Sequence, residues 1–153
     1  MGLKMLMILL WQINPLIQNR MKETPMDTLL IEQTRYLIEC GTAFNLEALD
    51  AIYSPALRIV RLDENANVTV LNKAENMAFF RLKKDSGATP LSRTAEFHYA
   101  ERKCRRGYVF LTRTMKLNDR WEELKYHIEW VYEKNRWRVV HENVFAQPAQ
   151  NSN

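Results

Sequence analysis

The 153-residue sequence is short of the residues that staple or punctuate a chain: two cysteines, four glycines, five prolines and three histidines. Cys40 and Cys104 match no redox or metal-ligand spacing, which excludes a disulfide framework, a zinc ribbon and a thioredoxin-type motif. They are expected to be free thiols in a reducing compartment, with a bridge between them left to geometry. No phosphate-binding loop, dinucleotide fingerprint or nucleophile elbow is present, so no cofactor is expected. The histidines and acids fall in no recognised ligand spacing, and no metal is expected. The apolar run Met5 to Trp11 is broken by Gln12, Asn14 and Pro15, well short of the roughly twenty residues a membrane-crossing helix needs. Charge of neither sign dominates. The net +4 is spread among interleaved acids, against the single basic patch of a nucleic-acid binder.

What is present fits one globular domain: 46% hydrophobic and 26% charged residues, with four Trp, six Tyr and six Phe to build a core or a pocket wall. A chain of this length buries a core without staples. Residues 1–26 are expected to be a poorly ordered extension or a start-site artefact, Met21 and Met26 being alternative starts. A short packing helix there, and export through residues 1–20, stay open. The cysteine usage otherwise places the protein in the cytoplasm. Residues 149–153 are a polar tail.

Between these ends the periodicity changes in a definite order. Asp27 or Thr28 caps a helix with Leu29, Leu30, Gln33, Tyr36, Leu37 and Cys40 at helical spacing, ended by Gly41. Asn45 caps a second helix, Leu46 to Tyr53, which Pro55 stops. Ala56 to Leu62 and Val68 to Leu71 read as a hairpin. Asn72 and Glu75 form a capping box that opens a third helix carrying Met77, Phe79, Phe80 and Leu82. Leu91 to Lys103, Tyr108 to Leu117, Glu122 to Tyr132 and Arg136 to Phe145 read as four strands. The fold class is therefore α+β: three helices packed on a strongly curved antiparallel sheet, in the order α-α-β-β-α-β-β-β-β. Long strands with few glycines twist and bend, and the bent sheet has a concave face to fill.

Turn positions predict which side chains meet. A loop of residues 104–107 sets His98 opposite Arg113. A turn at Asp119 and Arg120 sets Arg113 opposite Tyr126 and Leu111 opposite Ile128. A turn at Lys134 and Asn135 sets Trp130 opposite Val139 and Ile128 opposite His141. This register directs Val109, Leu111, Met115, Leu124, Tyr126, Ile128, Trp130, Val139 and Phe145 inward, together with the polar Glu96, His98, Arg113, His141 and Asn143. The outer face is a mixture of Lys125, His127, Glu129, Arg138 and Glu142 with Phe97, Tyr99, Phe110, Val131, Val140 and Val144. A half-apolar outer face suggests a second copy as partner. A single bulge would exchange the two faces beyond it.

Leu49 to Pro55 (Leu-Asp-Ala-Ile-Tyr-Ser-Pro), the helical pair and the closing Asn135 to Glu142 (Asn-Arg-Trp-Arg-Val-Val-His-Glu) resemble the nuclear transport factor 2-like superfamily, notably its SnoaL-like and lumazine-binding-like members. Those members often end in Gly-Arg-Trp-Arg/Lys-Ile-Val; here Asn135 stands at the turn glycine. The resemblance covers Asp27 to Pro148 and implies a cone-shaped domain, often dimeric through its outer sheet face. The cone mouth in that superfamily serves isomerases, dehydratases, cyclases and binding proteins, so the fold alone does not name an activity. The isomerase and cyclase members use a pocket Asp as base. No Asp falls on the strands expected to face inward, Asp119 lying in a turn, and that residue is not carried over.

His98 beside Arg113 is expected to be a neutral imidazole able to accept a proton, with Glu96 as a second proton carrier, or else the three form a self-satisfied core cluster. Tyr126 and Trp130 are pocket walls or core, and His141 and Asn143 further polar handles or solvent-bridged core groups. Arg102, Lys103, Arg105 and Arg106 form a basic hairpin tip that reads as a solvated turn, since no aromatic interleaving accompanies it. Three functions remain: binding of an apolar or aromatic small molecule, acid–base isomerisation, dehydration or cyclisation with His98 or Glu96, and a dimeric interaction module with a filled pocket. A hollow of at least ~300 Å³ reaching His98 or Arg113 favours the first two. A cavity plugged by Trp130 and Tyr126 favours the third.

Overall fold

A computed structural model of the chain describes residues 24–117 and 119–150. The expectation for residues 1–23 lies outside the described residues.

Helix α1 (Thr28–Thr42) starts where the Asp27 carboxylate accepts from the Leu30 backbone N–H at 3.0 Å. It buries Leu30, Thr34, Leu37 and Ile38, one face of a 3.6-residue period. The helix runs through Gly41, the expected terminator, and ends at Ala43, with the turn made by Phe44 at φ 52°. Helix α2 (Leu46–Ile52) is capped by Asn45, whose side chain accepts from Ala48 at 3.2 Å. Strand β1 (Tyr53–Leu62) pairs with β2 (Val68–Asn72). Helix α3 (Lys73–Asp85) opens on the full capping box: Asn72 accepts from the Glu75 N–H at 3.0 Å, and Glu75 accepts from the Asn72 N–H at 2.8 Å. Strands β3 (Glu96–Lys103), β4 (Arg106–Leu117), β5 (Arg120–Glu133) and β6 (Arg136–Pro148) complete the chain.

The six strands form one open sheet in the order β2-β1-β6-β5-β4-β3. It is mixed rather than wholly antiparallel, because β1 lies parallel to β6. The reason is topological: β1 is inserted between its own hairpin partner and the last strand of the chain. The helices cover the concave face, α1 against β3 and β4, α2 against β1 and β6, α3 against β1 and β2. The core beneath them holds Leu30, Leu49, Val109, Leu111, Leu124, Trp130 and Val139, all essentially inaccessible. The outer edge of β3 is occupied by the segment before α1: Asp27 N–H donates to the Ala100 carbonyl at 2.8 Å, and Ala100 N–H donates to the Pro25 carbonyl at 2.8 Å. Among the described residues no helix is long and apolar enough to cross a membrane, and both Cys40 and Cys104 are free thiols.

Two kinds of departure separate the expected register from the observed one. The β3–β4 hairpin closes tighter than expected, at Lys103↔Arg106, and the β4–β5 hairpin closes one residue earlier, at Leu117↔Arg120. Arg113 therefore faces Leu124, Leu111 faces Tyr126 and Val109 faces Ile128. A slide of two residues leaves every side chain on its own face, because the strand period is two. Single-residue bulges do not. In β3 the pairing passes from Tyr99↔Phe110 to Phe97↔Leu111 with His98 unopposed. In β6 it passes from Trp130↔Val139 to Glu129↔His141 with Val140 unopposed. Beyond each bulge, inside and outside exchange. Phe97, Glu142, Val144 and Ala146 turn to the helices, while Glu96, His98, His141, Asn143 and Phe145 turn outward.

Gly107 shows how closely the first helix sits on the sheet. A methyl group there would lie 2.6 Å from Leu30 Cδ1 and 2.8 Å from Cδ2, and Leu30 is itself fully enclosed. Gly107→Ala is expected to lower unfolding stability by about 1–3 kcal/mol through overpacking, read as a lower denaturant midpoint with unchanged slope.

Candidate functional site

Between α1, α3 and the concave face lies a cavity of about 180 Å³. Leu37, Ile38, Gly41 and Thr42 of α1 form one wall, Phe79 and Phe80 of α3 another, and Leu111, Met115, Leu124 and Ile128 the sheet floor. It adjoins a second hollow of about 340 Å³ that shares Arg61, Phe79, Phe80, Leu91 and Leu117, so the pair reads as an inner chamber and its vestibule. The inner chamber is smaller than expected, and it reaches Arg113 but not His98.

Six polar side chains line this mostly apolar chamber; Glu142, Tyr53, Tyr126 and Arg113 carry its chemistry, beside Thr42 and Arg61. Glu142 sits on β6 just past the Val140 bulge, opposite Ile128 on β5 and Ile59 on β1. Its residue surface is 7% exposed. Burial pushes its carboxyl from the usual 4.5 up to about 7, although the Tyr53 hydroxyl and the Arg113 charge pull the other way. The Tyr53 hydroxyl is raised well above its ordinary value by burial and by Glu142, and Tyr126 is raised by burial against the opposing Arg113 charge. Arg113 donates from Nη2 to the Ser92 carbonyl at 2.6 Å, fastening the segment that leads into β3. Its Nε is buried and has no hydrogen-bond partner. Arg61, at the mouth, is held by Glu122 at 2.9 Å. Behind Tyr53, the buried Asn76 of α3 keeps an Nδ2 without a partner.

Of the residues singled out in the sequence, Arg113 and Tyr126 line the cavity. Trp130 is enclosed in the core with its indole N–H unpaired and forms no part of the wall. His98 and Glu96 are exposed on the outer face, where His98 Nε2 meets Thr112 Oγ1 at 2.8 Å and His98 Nδ1 lies 3.9 Å from Glu96. The structure brings that pair together, but away from the cavity. His141 and Asn143 also lie on the outer face, Asn143 bonded to His127 Nδ1 at 3.2 Å. The β3 and β6 bulges account for all four displacements. The arginines of the β3–β4 hairpin are engaged with the domain: Arg102 pairs with Asp27, Arg105 donates to the Tyr132 carbonyl and Arg106 pairs with Glu129.

Sequence reasoning missed Glu142, Tyr53, Phe79 and Phe80 as cavity residues. No signal in the sequence placed Glu142 there: Val139 and Val144 are both buried at positions five apart, which alternation permits only with a bulge between them, and the fold alone shows that burial. Among the described residues, no group of three or more His, Cys, Asp or Glu side chains is placed to hold a metal.

The raised Glu142 carboxyl has a consequence for stability. Between pH 4.5 and about 7 the unfolded chain has released this proton and the native protein still holds it. Native stability therefore falls as pH rises through that window, by about 3 kcal/mol, and stays low above it. Glu142→Gln is expected to remove most of this fall. Urea titrations at pH 5 and pH 8 should show the variant gaining on the parent protein only at the higher pH.

No protein-family profile matches the chain, and no curated protein sequence is significantly similar. Solved structures are similar in fold. An NTF2-like protein from Cytophaga hutchinsonii superposes with TM-score 0.60 at 14% identity, over 79% of this chain and 99% of the other. An NTF2-like protein of unknown function from Shewanella baltica gives 0.57 at 10% identity, over 81% and 99%. A putative calcium/calmodulin-dependent protein kinase type II association domain from Thiobacillus denitrificans gives 0.57 at 15% identity, over 84% and 100%. With the helix-helix-strand order and the helix-covered mixed sheet, these superpositions give the chain the nuclear transport factor 2-like α+β fold.

Proposed function

We propose that the protein is a small-molecule-binding domain whose inner cavity takes a largely apolar ligand and orients it through Glu142 and Arg113. The observation that carries this reading is a buried carboxyl and an unpartnered guanidinium Nε sharing a cavity otherwise walled by aliphatic and aromatic side chains. Unpaired buried polar groups are costly to fold around, and a ligand that satisfies them recovers that cost. Trp130 stays in the core and leaves the hollow unplugged, which weighs against a pure interaction module. Acid–base catalysis is the second reading. Its support is the Glu142 carboxyl near pH 7, the range a proton carrier needs. Turnover undiminished in Glu142→Gln would eliminate it.

Gly41 offers a direct test of the binding reading. It is helical and lines the cavity, where an added Cβ would meet the Phe80 ring at 3.9 Å, an ordinary contact. Gly41→Leu is expected to fill the chamber while favouring the helix by somewhat under 1 kcal/mol. Native mass spectrometry and ligand thermal shifts should then show small-molecule binding in the parent protein and none in the variant. Equal binding by both sinks the proposal.

A second copy of the chain covering the outer face is part of the same reading. Phe110 and Phe145 are 44% and 54% exposed there, and Phe110 lies stacked with His127 and edge-on to Tyr99. Light scattering is expected to read twice the 18.2 kDa chain mass; a species of single chain mass at micromolar concentration removes the dimer.

A further inference from the structure

We propose that the occupant of the inner cavity is a small monocarboxylic acid of about the size of benzoate, bound as its carboxylate against Arg113 Nε and against the carboxyl O–H of Glu142. This rests on the binding reading above and names the ligand class for that site.

The argument begins with charge. Two arginines line the cavity. Arg61 is held by Glu122, whereas Arg113 has no carboxylate within ion-pair distance among the described residues, and its Nη2 is taken by a backbone carbonyl. Its Nε–H is buried and unpartnered. A half-buried cation with a free donor favours an anion and repels an amine. Among the described residues Glu142 is the sole acid lining the chamber, and burial holds its proton to about pH 7. The charged or titratable groups that share the cavity with it are Tyr53 and Arg61 from β1, Arg113 from β4 and Tyr126 from β5. The helix residues lining the cavity, Leu37, Ile38, Gly41, Thr42, Phe79 and Phe80, do not titrate. A protonated Glu142 is a hydrogen-bond donor, so Arg113 and Glu142 each bring to the cavity a donor that a carboxylate oxygen can accept.

Size sets the remainder of the ligand. A cavity of about 150 Å³ walled by Leu, Ile and Phe holds benzene; this one measures about 180 Å³, with Phe79, Phe80, Leu111 and Leu124 in its walls. One ring or a short branched chain fits beside the carboxylate within the inner chamber.

Binding in this form requires the Glu142 proton. Affinity is therefore full at pH 6 and about tenfold weaker at pH 8, since the free protein loses that proton near pH 7. Isothermal titration calorimetry on the full chain tests this, with benzoate and 3-methylbutyrate as probes and benzamide and benzyl alcohol as neutral comparators. Benzoate or 3-methylbutyrate should bind at least tenfold more tightly than the neutral compounds at pH 6. Glu142→Gln, which keeps a donor and cannot ionise, should retain acid binding and lose its pH dependence. Arg113→Gln should weaken acid binding about tenfold or more, with circular dichroism confirming that the variant is folded. Neutral compounds binding as tightly as the acids would overturn the carboxylate class and leave the binding reading standing. An acid affinity equal at pH 6 and pH 8, or undiminished in Arg113→Gln, would overturn the proposed geometry. No binding by any of the four probes overturns the ligand class, and Gly41→Leu compared with parent protein then tells whether the cavity binds anything at all.

Discussion

The structure turns on one unopposed residue in the last strand. Val140 breaks the two-residue alternation of β6, and everything after it faces the opposite way from what the preceding residues dictate. Val144 and Ala146 join the core as a result, and the carboxylate between them and the bulge is driven into an apolar cavity. That placement is unfavourable for a charged group, and the protein meets it by holding the proton on Glu142 rather than by pairing it tightly. The second bulge, at His98, has the reverse effect: it releases a histidine and an acid to the surface and tucks Phe97 against the core.

Packing around this site has a consistent logic. α1 lies so close to β4 that only glycine fits at position 107 beneath Leu30. Toward its other end the same helix lines the hollow with Leu37, Ile38, Gly41 and Thr42. The capping box on Asn72 fixes where α3 starts, and with it where Phe79 and Phe80 stand over the cavity. Arg113 links the cavity to the segment before β3 through the Ser92 carbonyl. Rigid elements thus surround a small set of polar atoms, which is the arrangement that lets a small site be selective.

The outer face carries a separate chemistry. His127 lies between Tyr108 and Phe110 in stacked geometry, accepts or donates to Asn143, and has its pKa lowered, first by burial and then by the neighbouring His141, against the pull of Glu129. Aromatic and polar groups are mixed there, with Phe110 and Phe145 left open. Of the groups expected in the pocket from the sequence, Glu96, His98, His141 and Asn143 ended up on this surface, where His98 meets Thr112 and Asn143 meets His127 on the neighbouring strands.

The sequence by itself determined the element order, the three helix N-caps, the nuclear transport factor 2-like fold and the apolar face of β4 and β5. Those features follow from local chemistry: an Asn or Asp ahead of a helical period, a left-handed Lys134-Asn135 turn, and strict alternation through Val109, Leu111, Leu124 and Ile128. Errors of two residues in hairpin closure left Arg113 and Tyr126 correctly turned inward, because a two-residue slide preserves the face. Tertiary structure alone decided whether His141 or Glu142 enters the cavity, and whether His98 or Phe97 packs against the core. A bulge is stabilised by what the strand meets on both sides, and in β6 those neighbours are β1, drawn from the start of the domain, and β5. No local pattern weighs those distant contacts, and so the acid at the heart of the site was settled by packing rather than by spacing.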